Sequence, residues 1–318
     1  MKLGYPEIYK PEPVVPDLFP NEGNTLFIFG NGLDIDLGYP TKYKDYFESD
    51  FFPFVHNDHT CHALGHYVYE RGVQEKWYDL ENILAEYGTG VGDMNEDDAA
   101  GDKDDYTKLV QGLATYLNSI DYKEPRIDSV AANILRAADD HLLPPTVYTF
   151  NYTDFEVTAN ALGIGFSDAH HIHGSLKNND IVLGVGEYVK LGPKASYLHK
   201  TSSLGYNSDG ILNAFASYTN IIIFGLSLSQ VDYPYFEDFF KDVASREYMG
   251  DYKKYIRIFT HNEKSRLEIL DNLRGMNSGL IKLRGYSDFD IIRTENDIDD
   301  VKVQEVISHL SVRAEVDV

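Results

Sequence analysis

The sequence contains one cysteine, Cys61, in 318 residues. A single thiol excludes a disulfide framework and any multi-cysteine zinc module, and it suits a reducing, cytoplasmic setting. Basic residues are scarce: 28 Lys and Arg stand against 51 Asp and Glu, a net charge of −23. A surface of that sign repels phosphate backbones and anionic bilayers, so neither a general nucleic-acid binder nor a membrane-docking protein is expected. No apolar run approaches the roughly 18 residues that span a bilayer. Residues 1–24 lack the apolar stretch of a secretory signal and carry Pro6, Pro11, Pro13, Pro16 and Pro20. They read as an extended arm on the body or on a partner subunit, or as a loose terminus. There is no internal repeat.

What is present is globular. Hydrophobic residues make up 43% and aromatics 13%, and a chain of this length buries a core without staples. Thr25–Phe29 is a continuous apolar run stopped by Gly30, the pattern of a buried parallel strand. Val147–Phe150, Ile221–Phe224 and Tyr255–Phe259 repeat it, and Ile281–Leu283 reads as a short edge strand. Helical patterns cover about Thr41–Phe47, Asp154–Leu162, Asp232–Val243 and Glu263–Leu273. Strands alternating with helices imply a parallel α/β sheet. Residues 51–143 break the alternation with amphipathic helices at Trp77–Tyr87, Tyr106–Ile120 and Ser129–His141, a helical insertion within a domain of residues 25–318. Inside the insertion, Gly90–Asp105 holds seven acids against one Lys. It reads as a solvated or disordered loop, since its spacing does not fit a calcium loop.

Four segments carry chemistry, three of them at the carboxyl end of a strand, where open α/β sheets bind ligands. Gly30-Asn31-Gly32-Leu33-Asp34, followed by Thr41, is either a tight turn or a phosphate-binding turn. It is not the dinucleotide fingerprint, because Ile35 holds the third glycine position. Asn151, Thr153 and Asp154 end a second strand; they either cap the next helix or put the Asn151 amide in the cleft, on a water or a ribose hydroxyl. His170-His-Ile-His-Gly174 places His171 and His173 on one face if it is a strand. A core histidine, a metal ligand and a catalytic base all fit this pattern, and the base is favoured because imidazole titrates near neutrality. Gly225-Leu-Ser227-Leu-Ser suits ribose or phosphate, and it departs from the serine-hydrolase elbow at Leu228-Ser229.

Taken in order, Gly30-Asn-Gly-Leu-Asp34, Gly38-Tyr-Pro-Thr-x-Tyr43, Trp77-x-Asp-Leu-Glu81, Thr149-Phe-Asn-Tyr-Thr-Asp154, His171-x-His-Gly174 and Gly225-x-Ser-Leu228 with Asp232 resemble the bacteriophage abortive-infection AbiH family. That family is similar to the sirtuin-like NAD-binding fold, and the resemblance spans about residues 24–285. It implies a Rossmann-like, sirtuin-like parallel sheet in which Gly30 and Gly32 line a pyrophosphate and Gly38-Tyr-Pro40 begins a loop over the nicotinamide side. The sirtuin loop arginine falls on Tyr43, its Asn on Asn151, its acid one residue late at Asp154, its catalytic His on His173 and its late serine on Ser227. The four-cysteine zinc module of sirtuin deacetylases is missing, which argues against an acetyl-lysine site.

The resemblance implies an antiphage-defence protein that binds NAD and cleaves its nicotinamide–ribose bond. Asn151 and His173 are the expected catalytic residues; Gly30, Asn31, Gly32, Asp34, Thr41, Asp154, Gly225 and Ser227 are the expected cofactor contacts. No metal is expected. A homo-oligomer and an activating phage or host protein are the expected partners, besides NAD or a related nucleotide. Two alternatives stand beside it: a non-catalytic nucleotide sensor, which needs the glycines but not both Asn151 and His173, and an interaction module whose acidic surface meets a basic partner.

Overall fold

The computed structural model describes residues 25–56, 59–75, 79–92, 95–141, 143–245 and 253–311. The N-terminal arm and Trp77 lie outside the described residues. Six strands form one sheet: β1 (Thr25–Phe29), β2 (Thr146–Thr149), β3 (His170–His171), β4 (Asn220–Phe224), β5 (Tyr255–Thr260) and β6 (Asp288–Arg293). Their order is β3-β2-β1-β4-β5-β6 and every neighbouring pair is parallel. This is a doubly wound, Rossmann-like α/β sheet.

The helices are α1 (Asn31–Asp36), α2 (Tyr43–Phe47), α3 (Ala63–Glu75), α4 (Leu80–Gly90), α5 (Glu96–Asn118), α6 (Val130–Asp139), α7 (Phe155–Leu162), α8 (Ile211–Ser217), α9 (Tyr233–Val243), α10 (Glu263–Gly275), α11 (Leu280–Tyr286) and α12 (Asp300–Leu310). None of the described helices is long and apolar enough to cross a membrane.

The strands read as unbroken apolar runs because both sheet faces are covered. Leu26, Ile28, Ile221, Ile223, Ile256 and Ile258 point into a core closed by α8 to α11. Phe27, Phe29, Ile222, Phe224 and Phe259 point the other way, toward α6, α7 and α12. Each such side chain stabilises by about 2 kcal/mol on burial. A third core, built on Tyr46, Leu64, Leu84, Leu109 and Leu113, joins α2 to α5 and takes in Leu183, Val185 and Leu198 from the long connection after β3. The insertion therefore packs on the segment that follows the His motif.

The acidic stretch is not a loop. Helix α4 continues to Gly90, and α5 begins at Glu96, where the Asn95 side chain accepts from the Asp98 amide. Glu96, Asp97 and Asp98 occupy the first turn, where carboxylates complement the helix dipole. Asp102 and Asp105 are buried and serve as acceptors for another helix. Asp105 accepts from the His62 and Gly65 amides at 2.6 and 3.0 Å, and Asp102 accepts from Leu64 at 3.0 Å and from the Tyr87 hydroxyl. The free N–H groups that open α3 are thus satisfied by α5. Asp105→Ala is expected to lower stability by about 2 kcal/mol, because it strands the buried Gly65 amide and the half-buried His62 amide; urea unfolding monitored by circular dichroism measures this.

Two further expectations change. Ile281–Leu283 belongs to α11, with Leu283 buried and Ile281 exposed, and the edge strand is β6. His171 ends β3, so His173 lies beyond the strand and the two do not share a strand face. The Gly30 turn runs directly into a helix, α1.

Candidate functional site

The sheet order reverses between β1 and β4, the position where doubly wound sheets open a crevice at their carboxyl ends. Both connections leave through a glycine turn. Gly32 donates to the Gly225 carbonyl at 3.0 Å, and Gly30 donates to the Phe224 carbonyl at 2.9 Å. A Cβ on Gly32 would stand 2.5 Å from the Gly225 Cα. The two backbones touch, and Gly225 meets the turn at φ +73°. Ser227, two residues on, is exposed, and its carbonyl accepts from Asn272 Nδ2 at 3.0 Å. Asn31 is exposed beside it and pairs with the buried Thr41: the Thr41 hydroxyl donates to Asn31 Oδ1 at 2.5 Å, and Asn31 Nδ2 donates to the Thr41 carbonyl at 3.1 Å.

Beneath the turn, Asn151 Nδ2 donates to the Gly30 carbonyl at 3.1 Å, and the Asn151 carbonyl faces His171 Nδ1 at 3.0 Å. Asp34, on α1, is buried and accepts from the Thr153 hydroxyl at 2.9 Å. Burial pushes its carboxyl up to about 7, against the hydrogen bonds from Thr153 and Asn151. Gly30, Gly32, Asp34, Asn151 and Gly225 thus form one network. Asp154 stands apart from it as the cap of α7, where Oδ1 accepts from the Glu156 amide at 3.0 Å.

His173 is buried, edge-on to Phe150, with its Nε2 3.5 Å from Lys200 Nζ. Burial first, and the Lys200 ammonium second, hold its imidazole well below the usual range. Lys200, in a short 3-10 turn, is itself buried and donates to Glu81 Oε2 at 2.8 Å. Glu81 comes from α4, so the helical insertion completes the site. Burial raises its carboxyl to about 7; Lys200 opposes the rise and Asp79 adds to it. Asp232, after β4, is raised by burial to about 6, again with Lys200 opposing. Tyr43 and Tyr152 stand beside Glu81, both pushed far up by burial.

One ammonium thus acts on the carboxyl groups of Glu81 and Asp232, and the Asp79 carboxylate, which caps α4, acts on both with the opposite sign. The field favours positive charge, and the site can hold or release a proton near neutral pH. Glu81 and Lys200 had no assigned role in the sequence. Glu81 stood in the Trp77-x-Asp-Leu-Glu81 motif without a chemical reason, and Lys200 has no local signal at all. A depression lined by Asp139, His141, Pro144, Pro145, Phe166 and Asp168 lies at the amino end of β2, away from these groups.

A family model described as bacteriophage abortive infection AbiH matches residues 26–250. Among solved structures, a mutant Sir2 homologue in complex with ADP-ribose is similar at 13% identity and a TM-score of 0.39, over 92% of this chain and 96% of that one. No curated protein matches.

Proposed function

We propose, for a chain that belongs to the bacteriophage abortive infection AbiH family, that it binds NAD across the β1/β4 switch point and cleaves the nicotinamide–ribose bond as part of antiphage defence. One observation carries this reading: two glycine turns meet backbone to backbone where the strand order reverses, and Asn151 is tied to one of them. The sirtuin-like motifs in the sequence point the same way. The donors present suit a dinucleotide: the exposed Ser227 and Asn31 flank the turns, and the acidic cluster lies beyond them.

Cleavage breaks the bond between the ribose C1′ and the nicotinamide ring nitrogen. The electron pair leaves with nicotinamide, and positive charge gathers on the ribose, as in glycoside hydrolysis. Glu81, Asp79 and Asp232 outnumber Lys200 and stabilise that charge. Asn151 positions the ribose or the attacking water, and the cluster containing His173 receives the proton. Loss of NAD would halt growth of an infected cell, so a phage or host protein, or self-assembly, is the proposed trigger.

Incubation with NAD followed by chromatography tests the reading. Wild type is expected to release nicotinamide and ADP-ribose, and Asn151→Ala and His173→Ala to lose at least about a hundredfold in rate with unchanged circular dichroism. A second reading, a nucleotide sensor, is favoured by the burial of both Asn151 and His173 behind internal hydrogen bonds. NAD bound by calorimetry, with no nicotinamide released after infection, would select it.

A further inference from the structure

Glu81 is the member of the buried cluster that reaches outward. Its side chain is 15% exposed, whereas that of Lys200 is 4% exposed. Among the described residues its one hydrogen bond is from Lys200 to Oε2, which leaves Oε1 without a partner. His173, Lys200 and Glu81 are therefore linked in turn, at 3.5 and 2.8 Å, from the buried imidazole to the more exposed carboxylate. A proton placed on His173 Nε2 would set an imidazolium 3.5 Å from an ammonium in a buried place, a costly arrangement. A proton placed on Glu81 instead neutralises a half-buried carboxylate. Asp232 is less accessible and closes its own turn against the Ser229 backbone.

We propose that Glu81 is the base that takes the proton of the acceptor water, and that Lys200, held by His173, is the positioning residue that aims it; this rests on the NAD-cleaving reading above. The water oxygen bonds to the ribose C1′ as the bond to nicotinamide breaks. Nicotinamide leaves neutral with the electron pair, and the water proton goes to Glu81 Oε1. The products are nicotinamide, ADP-ribose and one proton, so no leaving-group acid and no co-reactant is required. His173 acts as the acceptor that fixes the Lys200 ammonium.

The test measures nicotinamide release and NAD binding for wild type, Glu81→Gln, Glu81→Asp and the double variant Glu81→Gln/Lys200→Met. The double variant removes both charges, so it does not leave a buried ammonium unpaired. Expected are a loss in kcat of about a hundredfold or more for Glu81→Gln, an NAD affinity within threefold of wild type, partial return of rate in Glu81→Asp, and a double variant that folds and stays as slow as Glu81→Gln. A wild type that turns over while Glu81→Gln or the double variant keeps more than a third of its kcat would overturn the role of Glu81 and leave NAD cleavage standing. A wild type that binds NAD and releases no nicotinamide, before or after infection, would overturn both.

Discussion

Gly225→Ala is expected to destabilise the protein by about 4 kcal/mol, a large share of the roughly 5–15 kcal/mol that holds a folded domain. Two costs add. The residue sits at φ +73°, where a side chain strains the backbone by roughly 1–2 kcal/mol. The new Cβ would also lie 2.4 Å from both the Gly32 Cα and the Leu33 amide nitrogen. Those are backbone atoms, so no rotamer change relieves the clash, and overpacking adds about 1–3 kcal/mol. Gly163 provides the control. It sits at φ +70° at the end of α7, but a Cβ there meets nothing within 4 Å, so Gly163→Ala should cost only about 1 kcal/mol. Urea unfolding of both variants separates strain from contact. Equal, small losses would mean that the two turns do not touch.

Lys200→Met is the second large effect, about 3 kcal/mol at pH 7.5. It removes the cation that faces Glu81 and Asp232 and leaves their carboxyl groups buried without it. The sign with pH follows from the raised carboxyl groups. Below the unfolded carboxylate range Glu81 and Asp232 are neutral in both states, and removal of Lys200 costs little through them. As pH rises through about 6 and about 7, the folded wild type ionises these groups against the Lys200 ammonium, whereas the folded variant must keep them protonated or carry unpaired charge while the unfolded chain is already ionised. The penalty therefore grows from pH 5 to pH 8, as measured by urea midpoints across that range. The double change Glu81→Gln/Lys200→Met should recover part of the loss.

Much of the sheet was legible because parallel strands buried on both faces are continuous apolar runs, as at Thr25–Phe29 and Asn220–Phe224. β6 was not, because Asp288, Asp290 and Arg293 interrupt it at the sheet edge, where charges stay solvated or paired. Ile281-Lys-Leu283 misled as a short edge strand; it lies in α11, where Leu283 is buried and Ile281 exposed. The helix was legible from Tyr106 on, but its acidic start at Glu96–Asp105 was hidden, because charge density argues for solvent unless a partner element needs acceptors, and the start of α3 supplies that need through tertiary contact.

The switch-point residues could be found because a strand that ends in glycine is a local signal. The cluster around Glu81 could not, since it is assembled from α4, the turn at Lys200 and the connection after β4, which are remote in sequence. Burial sets Lys200 and Lys254 apart from the other described lysines, and Lys200 donates to Glu81.

The most direct test of NAD binding at the β1/β4 switch point is calorimetric titration of NAD into wild type and Ser227→Glu. Ser227 is exposed, so the substitution should leave the unfolding midpoint unchanged, but it sets a carboxylate where the pyrophosphate is proposed to lie. Saturable binding to wild type is expected, weakened at least tenfold in the variant, about 1.4 kcal/mol. Equal affinity in the two proteins, or no binding to wild type, would contradict it.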